Sequence, residues 1–205
     1  MELVGERWSL LIVRELMLGA RRFSDIRASL PGISAKVLTE RLLSLEEAGV
    51  LMRRQLPPPG KAQVYELTAW GYAAEPLIQE LGRWAAQSSA HDPTLPLSAV
   101  SLMMSMRTMV QYNRLAQFAR RRIGFAIGDE EFIAEPTMRE LPIRRESVRQ
   151  ADAVFRAPVA SIVAGGFYAG VPWNELERDA GLKIEGNRDL ALRFASLFRL
   201  PPKLA

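Results

Sequence analysis

The sequence predicts an α+β protein in two domains, and three observations carry that prediction. Residues 1–90 run through helix-periodic stretches and one pair of short strand-like runs. Residues 91–97 belong to the polar stretch SSAHDPTLPL, whose two prolines mark a linker. Residues 98–205 open on another helix-periodic stretch and then alternate at the period of strands, which predicts a small antiparallel sheet with helices. A length of 205 residues suits one large domain or two small ones, and 48% apolar with 24% charged residues is ordinary for a soluble globular chain. No apolar run reaches the roughly 20 residues a membrane helix needs. No signal peptide is expected before the first periodic segment, so the expected location is cytoplasmic, away from membranes. The absence of cysteine excludes disulfides, thiolate metal ligands and a cysteine nucleophile. The net charge of +4 is unevenly spread: Arg21 to Lys61 holds eight basic residues against four acidic ones.

Along the first domain, Val4, Trp8, Leu11, Ile12 and Leu16 recur at helical spacing, with Gly19 as the stop. That helix is expected to begin almost at Met1 and could extend upstream of this numbering. In ARRFSDIRASLPG, residues Phe23, Ile26 and Leu30 give one apolar stripe, closed by Pro31-Gly32. ISAKVLTERLLSLEEAGVL follows as a third helix. Ser34 is its N-cap, Leu38, Leu42 and Leu45 are its buried face, and Gly49 gives the left-handed ending. Lys36, Thr39, Glu40 and Ser44 point outward, with Arg41 at the boundary. Leu43 also faces outward and nothing in the pattern explains it.

VLMRRQL and QVYELT are then two strands joined by PPPGKA, a hairpin with a stiff tip. Three short helices and a hairpin make the layout of a winged helix-turn-helix, with Gly32 in the turn before the third helix. A major groove about 12 Å wide admits one helix, whose N-terminal residues meet base edges. A wing carrying Arg53, Arg54 and Lys61 can then lie along the neighbouring phosphates. A helix with one charged face is often only solvated, but its place before a basic wing favours double-stranded DNA. Glu40 counts against contact unless it accepts from a cytosine amino group.

The runs VGERWSLLIVRELMLGARRFSDI, LPGISAKVLTERLLSLEEAGVL, VYELTAWG and LGRW resemble the HxlR-type bacterial transcription regulators, over about residues 2–86. The resemblance implies a winged-helix homodimer on operator DNA, with terminal helices of the domain in the dimer interface. By it, Arg22, Ser34, Lys36, Thr39 and Arg41 join Arg53, Arg54 and Lys61 as DNA-binding candidates. Many such proteins carry a cysteine just before the first helix, in some cases a redox or electrophile sensor. This chain has none, so thiol sensing is excluded. A dimer also accounts for LTAWGYAAEPLIQELGRWAAQ, where Pro76 kinks or restarts a helix bearing a wide apolar stripe. Trp8, Leu77, Ile78, Leu81 and Trp84 are the interface candidates, the alternative for the stripe being the protein's own core.

His91, the only histidine, stands in the linker without clustered ligands and is read as a linker residue, so no metal or cofactor is expected. In LSAVSLMMSMRTMVQYN, residues Met103, Met104, Met106 and Met109 suit irregular core packing. RRRIGFAIGDEEFIAEP reads as a hairpin about Gly128-Asp129, MRELPIRRES as a third strand and AVFRAP as a fourth. PVASIVAGGFYAGVPWNELERD gives short helices broken by glycines, GLKIEG a brief strand, and RDLALRFASLF a closing helix. Residues 98–200, above all GLKIEGNRDLALRFASLF, resemble the sterol-carrier-protein fold, which implies a curved sheet and helices enclosing an apolar tunnel. By it, Phe125, Phe132, Phe155, Phe167, Tyr168 and Trp173 are ligand-binding candidates, although each also suits an ordinary core. Arg139, Arg144, Arg145, Arg149 and Arg156 either attract an anionic head group or form a solvated face.

The leading expectation is a one-component transcription regulator: a homodimer on a pseudo-palindromic operator, modulated by an apolar small molecule in the second domain. The alternative is a carrier of apolar molecules whose first domain dimerises or localises it. An enzyme is not expected, because His-x-x-x-His, Gly-x-Ser-x-Gly and phosphate-cradling glycine loops are all missing.

Overall fold

The computed structural model describes residues 5–57, 61–90, 92 and 95–204. The chain divides into two compact units, Met1–Ile78 and Gln79–Ala205.

In the first unit, helices α1 (Ser9–Leu16), α2 (Phe23–Ser29) and α3 (Ala35–Glu47) precede a hairpin of β1 (Leu51–Gln55) and β2 (Gln63–Leu67). The first helix starts later than its apolar spacing predicts. Trp8 holds φ 81°, a left-handed conformation, so the described residues before Ser9 are not helical. Val4 and the hairpin tip at Pro58–Gly60 lie outside the described residues. The other boundaries follow the sequence signals. Ser34 Oγ accepts from Val37 N at 3.2 Å and caps α3, while Gly49 takes φ 73° just beyond its end. Leu38, Leu42 and Leu45 are buried with Ile12, Leu16, Ile26 and Leu51. The strands pair antiparallel from Leu51↔Leu67 to Gln55↔Gln63. Arg21 adds a third, one-residue strand: its N donates to Tyr65 O at 2.9 Å and its O accepts from Tyr65 N at 2.8 Å. A short helix α4 (Ala69–Tyr72) ends before α5 (Glu75–Ala86), so Pro76 restarts the helix rather than kinking it.

The second unit takes in the far half of α5, and the division falls at Ile78/Gln79 rather than in the 91–97 stretch. The reason is hydrogen bonding. Lys203 Nζ donates to Ala86 O at 3.0 Å and Ser88 O at 2.9 Å, and Leu204 N donates to Gln87 O at 2.8 Å. These bonds hold residues 86–88 within the second unit, while His91 lies outside the described residues.

Helix α6 (Ala99–Met109) is buried almost all round, its four methionines included. A five-stranded sheet follows in the order β5-β4-β3-β6-β7, from β3 (Ile123–Ile127), β4 (Glu130–Ala134), β5 (Ile143–Arg145), β6 (Ala153–Ala157) and β7 (Lys183–Gly186). The sheet is mixed, not purely antiparallel as the sequence suggests, because β6 runs parallel to β3. Strand β4 already has neighbours on both edges, so the chain crosses from β5 to the open edge of β3. The crossing segment packs Val148 and Ala151 on Ala126, Ile133 and Val154. Gly124 makes that possible, since a Cβ there would meet Val148 at 2.9 Å. On the opposite face, Phe125 is in register with Phe132 and Phe155. Helices α7 (Ala160–Tyr168) and α9 (Arg188–Ala195) cover it through Phe167 and Phe194, and α8 (Trp173–Asp179) follows α7.

Candidate nucleic-acid interface and apolar cluster

The third helix presents its first two turns outward. Ser34, Lys36, Thr39 and Glu40 are exposed, and the buried leucines lie on the other side. Ser34 Oγ is engaged as the cap acceptor, which leaves its proton for an outside acceptor. Thr39 Oγ1 donates to Ala35 O at 2.9 Å, so its free capacity is as an acceptor. Lys36, Lys61 and Arg22 are exposed and form no ion pair among the described residues. Arg27 on α2 shares that character, although the sequence pattern did not single it out.

The other three candidate arginines are paired. Arg41 Nη1 lies 3.2 Å from Glu6 Oε2 and is only 22% exposed. Arg54 Nε lies 2.5 Å from Glu66 Oε2. Arg53 Nη2 lies 2.7 Å from Glu46 Oε2, and its Nε and backbone N both donate to Glu46 Oε1, at 3.0 and 3.3 Å. The hydrogen bond from Arg53 holds the Glu46 carboxyl below its ordinary range. Arg53 and Arg54 also point to opposite faces of the hairpin, as successive strand residues must. Glu46 thereby clamps the end of α3 to β1, a contact between residues seven apart.

One buried charge escaped the sequence reading. Glu15 is fully buried, with Arg14 Nη2 at 3.0 Å from its Oε1 and Arg21 Nη1 at 3.3 Å from its Oε2. The available signal was a carboxylate inside the apolar arc of the first helix, between Ile12 and Leu16.

Among the dimer candidates, Leu77, Leu81 and Trp84 fall on one face of α5 and are 50%, 41% and 73% exposed. Ile78 is half-buried. Trp8 is half-buried as well, its ring 3.7 Å from where a Cβ on Gly32 would stand.

In the second unit, five of the six ligand candidates form one aromatic cluster. Phe125 stacks on Phe155 with centroids 5.5 Å apart, and Phe167 meets Phe155 at 5.1 Å and Trp173 at 5.5 Å. Tyr168 joins through Phe167 at 6.4 Å. Phe132 stands apart from these ring contacts, with the Arg145 guanidinium 4.8 Å from its centroid. Phe125, Phe132 and Phe155 are fully buried, whereas Tyr168 and Trp173 keep part of their surface accessible. The strand arginines are paired with carboxylates: Arg144 with Glu135 and Glu146, Arg145 with Glu130, and Arg156 with Glu185. Arg139 and Arg149 lie off the strands. Among the described residues no helix is long and apolar enough to cross a membrane, and no three metal-ligating side chains group together.

Residues 3–93 match the HxlR-like helix-turn-helix family. The HTH-type transcriptional regulator YvaP of Bacillus subtilis is 41% identical over 86 residues, which are 42% of this chain and 80% of that protein. The HTH-type transcriptional regulator YodB of the same organism is 41% identical over 85 residues, 42% of this chain and 76% of that protein. The solved structure of YodB in its reduced form is 39% identical and covers 44% of this chain and 90% of that one, with a TM-score of 0.40.

Proposed function

The chain belongs to the HxlR-like helix-turn-helix family, whose relatives are named transcriptional regulators, and from that membership we propose a cytoplasmic homodimer that binds operator DNA sequence-specifically. The observation that carries this reading is the set of cations in the first unit that are exposed and unpaired among the described residues, led by Lys36 in the first turn of a capped α3. Helix α3 enters the major groove. Ser34, Lys36 and Thr39 face base edges or the nearest phosphate, at the positive end of the helix dipole. Lys61 on the wing and Arg22 at the start of α2 neutralise phosphates directly. Arg53 and Arg54 can offer phosphate the guanidinium N–H groups that their carboxylates leave free, with a smaller gain because each charge already has a partner. The exposed α5 face of Leu77, Leu81 and Trp84 pairs with its copy in a second subunit, setting the half-site spacing.

An apolar small molecule bound at the aromatic cluster of the second unit modulates this binding. It does so only insofar as it favours the DNA-competent or the incompetent dimer. The sterol-carrier-like character of this unit belongs to the same proposal, supported by one sheet face lined with phenylalanines under two helices.

The test is fluorescence anisotropy with duplexes from the promoter nearest this protein's gene, against a scrambled competitor, across a salt series. Nanomolar, competitor-resistant binding with a steep salt slope is the expected outcome. Weak binding without discrimination at every candidate promoter overturns the reading.

A further inference from the structure

The outward ridge of α3 carries a carboxylate that the first unit leaves unanswered. At about 100° per residue, Glu40 stands nearly opposite the mean direction of the buried Leu38, Leu42 and Leu45, and it is exposed. Glu6, Glu15, Glu46 and Glu66 each pair with an arginine. Glu40 pairs with no cation among the described residues, although Lys36 stands one turn before it. The Thr39 proton goes to Ala35 O, the exposed Leu43 has none to give, and Ser44 makes no hydrogen bond to Glu40. Glu47 is also exposed and unpaired among the described residues, but it stands about 10 Å further along the axis, where the helix ends.

Such a carboxylate has a consequence on DNA. Phosphates repel it, so Glu40 lowers affinity for every duplex unless a donor on the base edges meets it. Two amino groups face the major groove, N4 of cytosine and N6 of adenine. Adenine sets its N7 acceptor beside that amino group, and an acceptor repels a carboxylate. Cytosine presents a donor and no acceptor of its own. A group that only accepts therefore favours cytosine.

We propose that Glu40 is a specificity-determining residue that reads a cytosine in each half-site and rejects sequences without it by electrostatic repulsion. The proposal rests on the reading of α3 as the helix that enters the major groove, and adds a selecting residue to it. Lys36 and Glu40 are about 6 Å apart along the axis, less than two base-pair steps of about 3.4 Å. The pair read by Glu40 therefore stands one or two steps from the pair beneath Lys36, and the two contacts are separable.

The experiment is selection of duplexes from a randomised library by the full chain, repeated with Glu40→Gln and Glu40→Ala, followed by anisotropy on the selected sites. Both substitutions fall at an exposed position and leave the core untouched. The wild type is expected to select one invariant cytosine per half-site, and replacing that cytosine weakens binding about tenfold. Glu40→Gln moves the preference at that position alone to adenine, since an amide both donates and accepts. Glu40→Ala leaves the position without preference and binds a scrambled duplex more tightly than the wild type does. Selection of the unchanged wild-type site by both variants overturns the role of Glu40 while leaving α3 as the DNA-binding helix. A wild type that enriches no sequence overturns both.

Discussion

The two units place their cations differently. On the sheet of the second unit Arg145 and Arg156 each face a carboxylate on a neighbouring strand, and Arg144 faces Glu135, one residue beyond β4. In the first unit Arg22, Arg27, Lys36 and Lys61 stand exposed without such a partner among the described residues, although both units are rich in basic residues. Counting charges along the sequence therefore does not locate a binding face. Lack of a counter-ion does not locate it alone either, since Arg120, Arg139, Arg149 and Arg199 of the second unit are exposed and form no ion pair among the described residues. What distinguishes Lys36 and Lys61 is their place on the third helix and the wing of a helix-turn-helix domain.

The first unit also pairs cations, at Arg41, Arg53 and Arg54, and around Glu15 it encloses the paired carboxylate completely. Replacing it leaves Arg21 buried at the junction with Tyr65. Glu15→Ala is expected to cost about 3–5 kcal/mol in urea unfolding, and an unchanged midpoint would show that the pair is not structural. On the DNA side, Lys36→Ala should cost about 1–3 kcal/mol of operator affinity and relax preference at one base pair. Equal loss on operator and scrambled duplex would make Lys36 a phosphate contact instead. Lys61→Ala should weaken all duplexes alike and flatten the logarithmic salt slope by about one unit. The matching change in the second unit, Arg156→Ala, should leave DNA binding untouched and alter stability by less than about 1 kcal/mol. A salt slope that moved with Arg156 would erase the contrast between the units.

The smallest expected effect concerns the wing. Because the Glu46 carboxyl titrates below its ordinary range, its clamp on Arg53 is fully present above that range and is lost as pH falls through the lowered value. The stability difference between the wild type and Glu46→Gln should therefore shrink on acidification. A difference independent of pH would assign the clamp to the backbone bond from Arg53 alone.

Much of the first unit was legible because its signals are local. Helical periodicity, the Ser34 cap, and the glycines at 32 and 49 fix elements within a few residues of themselves, and the outward set on α3 follows from the buried one. The partners of Arg41, Arg53 and Arg54 were not legible, since Glu6, Glu46 and Glu66 reach them only through the fold. Strand direction was likewise hidden. AVFRAP looks the same whether it runs with β3 or against it, and the crossover over Gly124 decides. The start of α1 misled for a different reason: the apolar spacing continues upstream of Ser9, but the left-handed turn at Trp8 does not follow it.

The bonds from Lys203 to the end of α5 carry a consequence for the order of events during synthesis. The carbonyl of Ala86 and the ammonium that caps it are 117 residues apart. At the usual pace of translation, about 5–20 residues per second, the last turn of α5 waits roughly 6–23 s for its cap. Throughout that interval the indole of Trp84 rides on a fraying helix end beside a unit whose sheet is still being made. A nascent chain stalled before residue 203 should therefore exchange the amides at the end of α5 faster than a chain that includes Lys203.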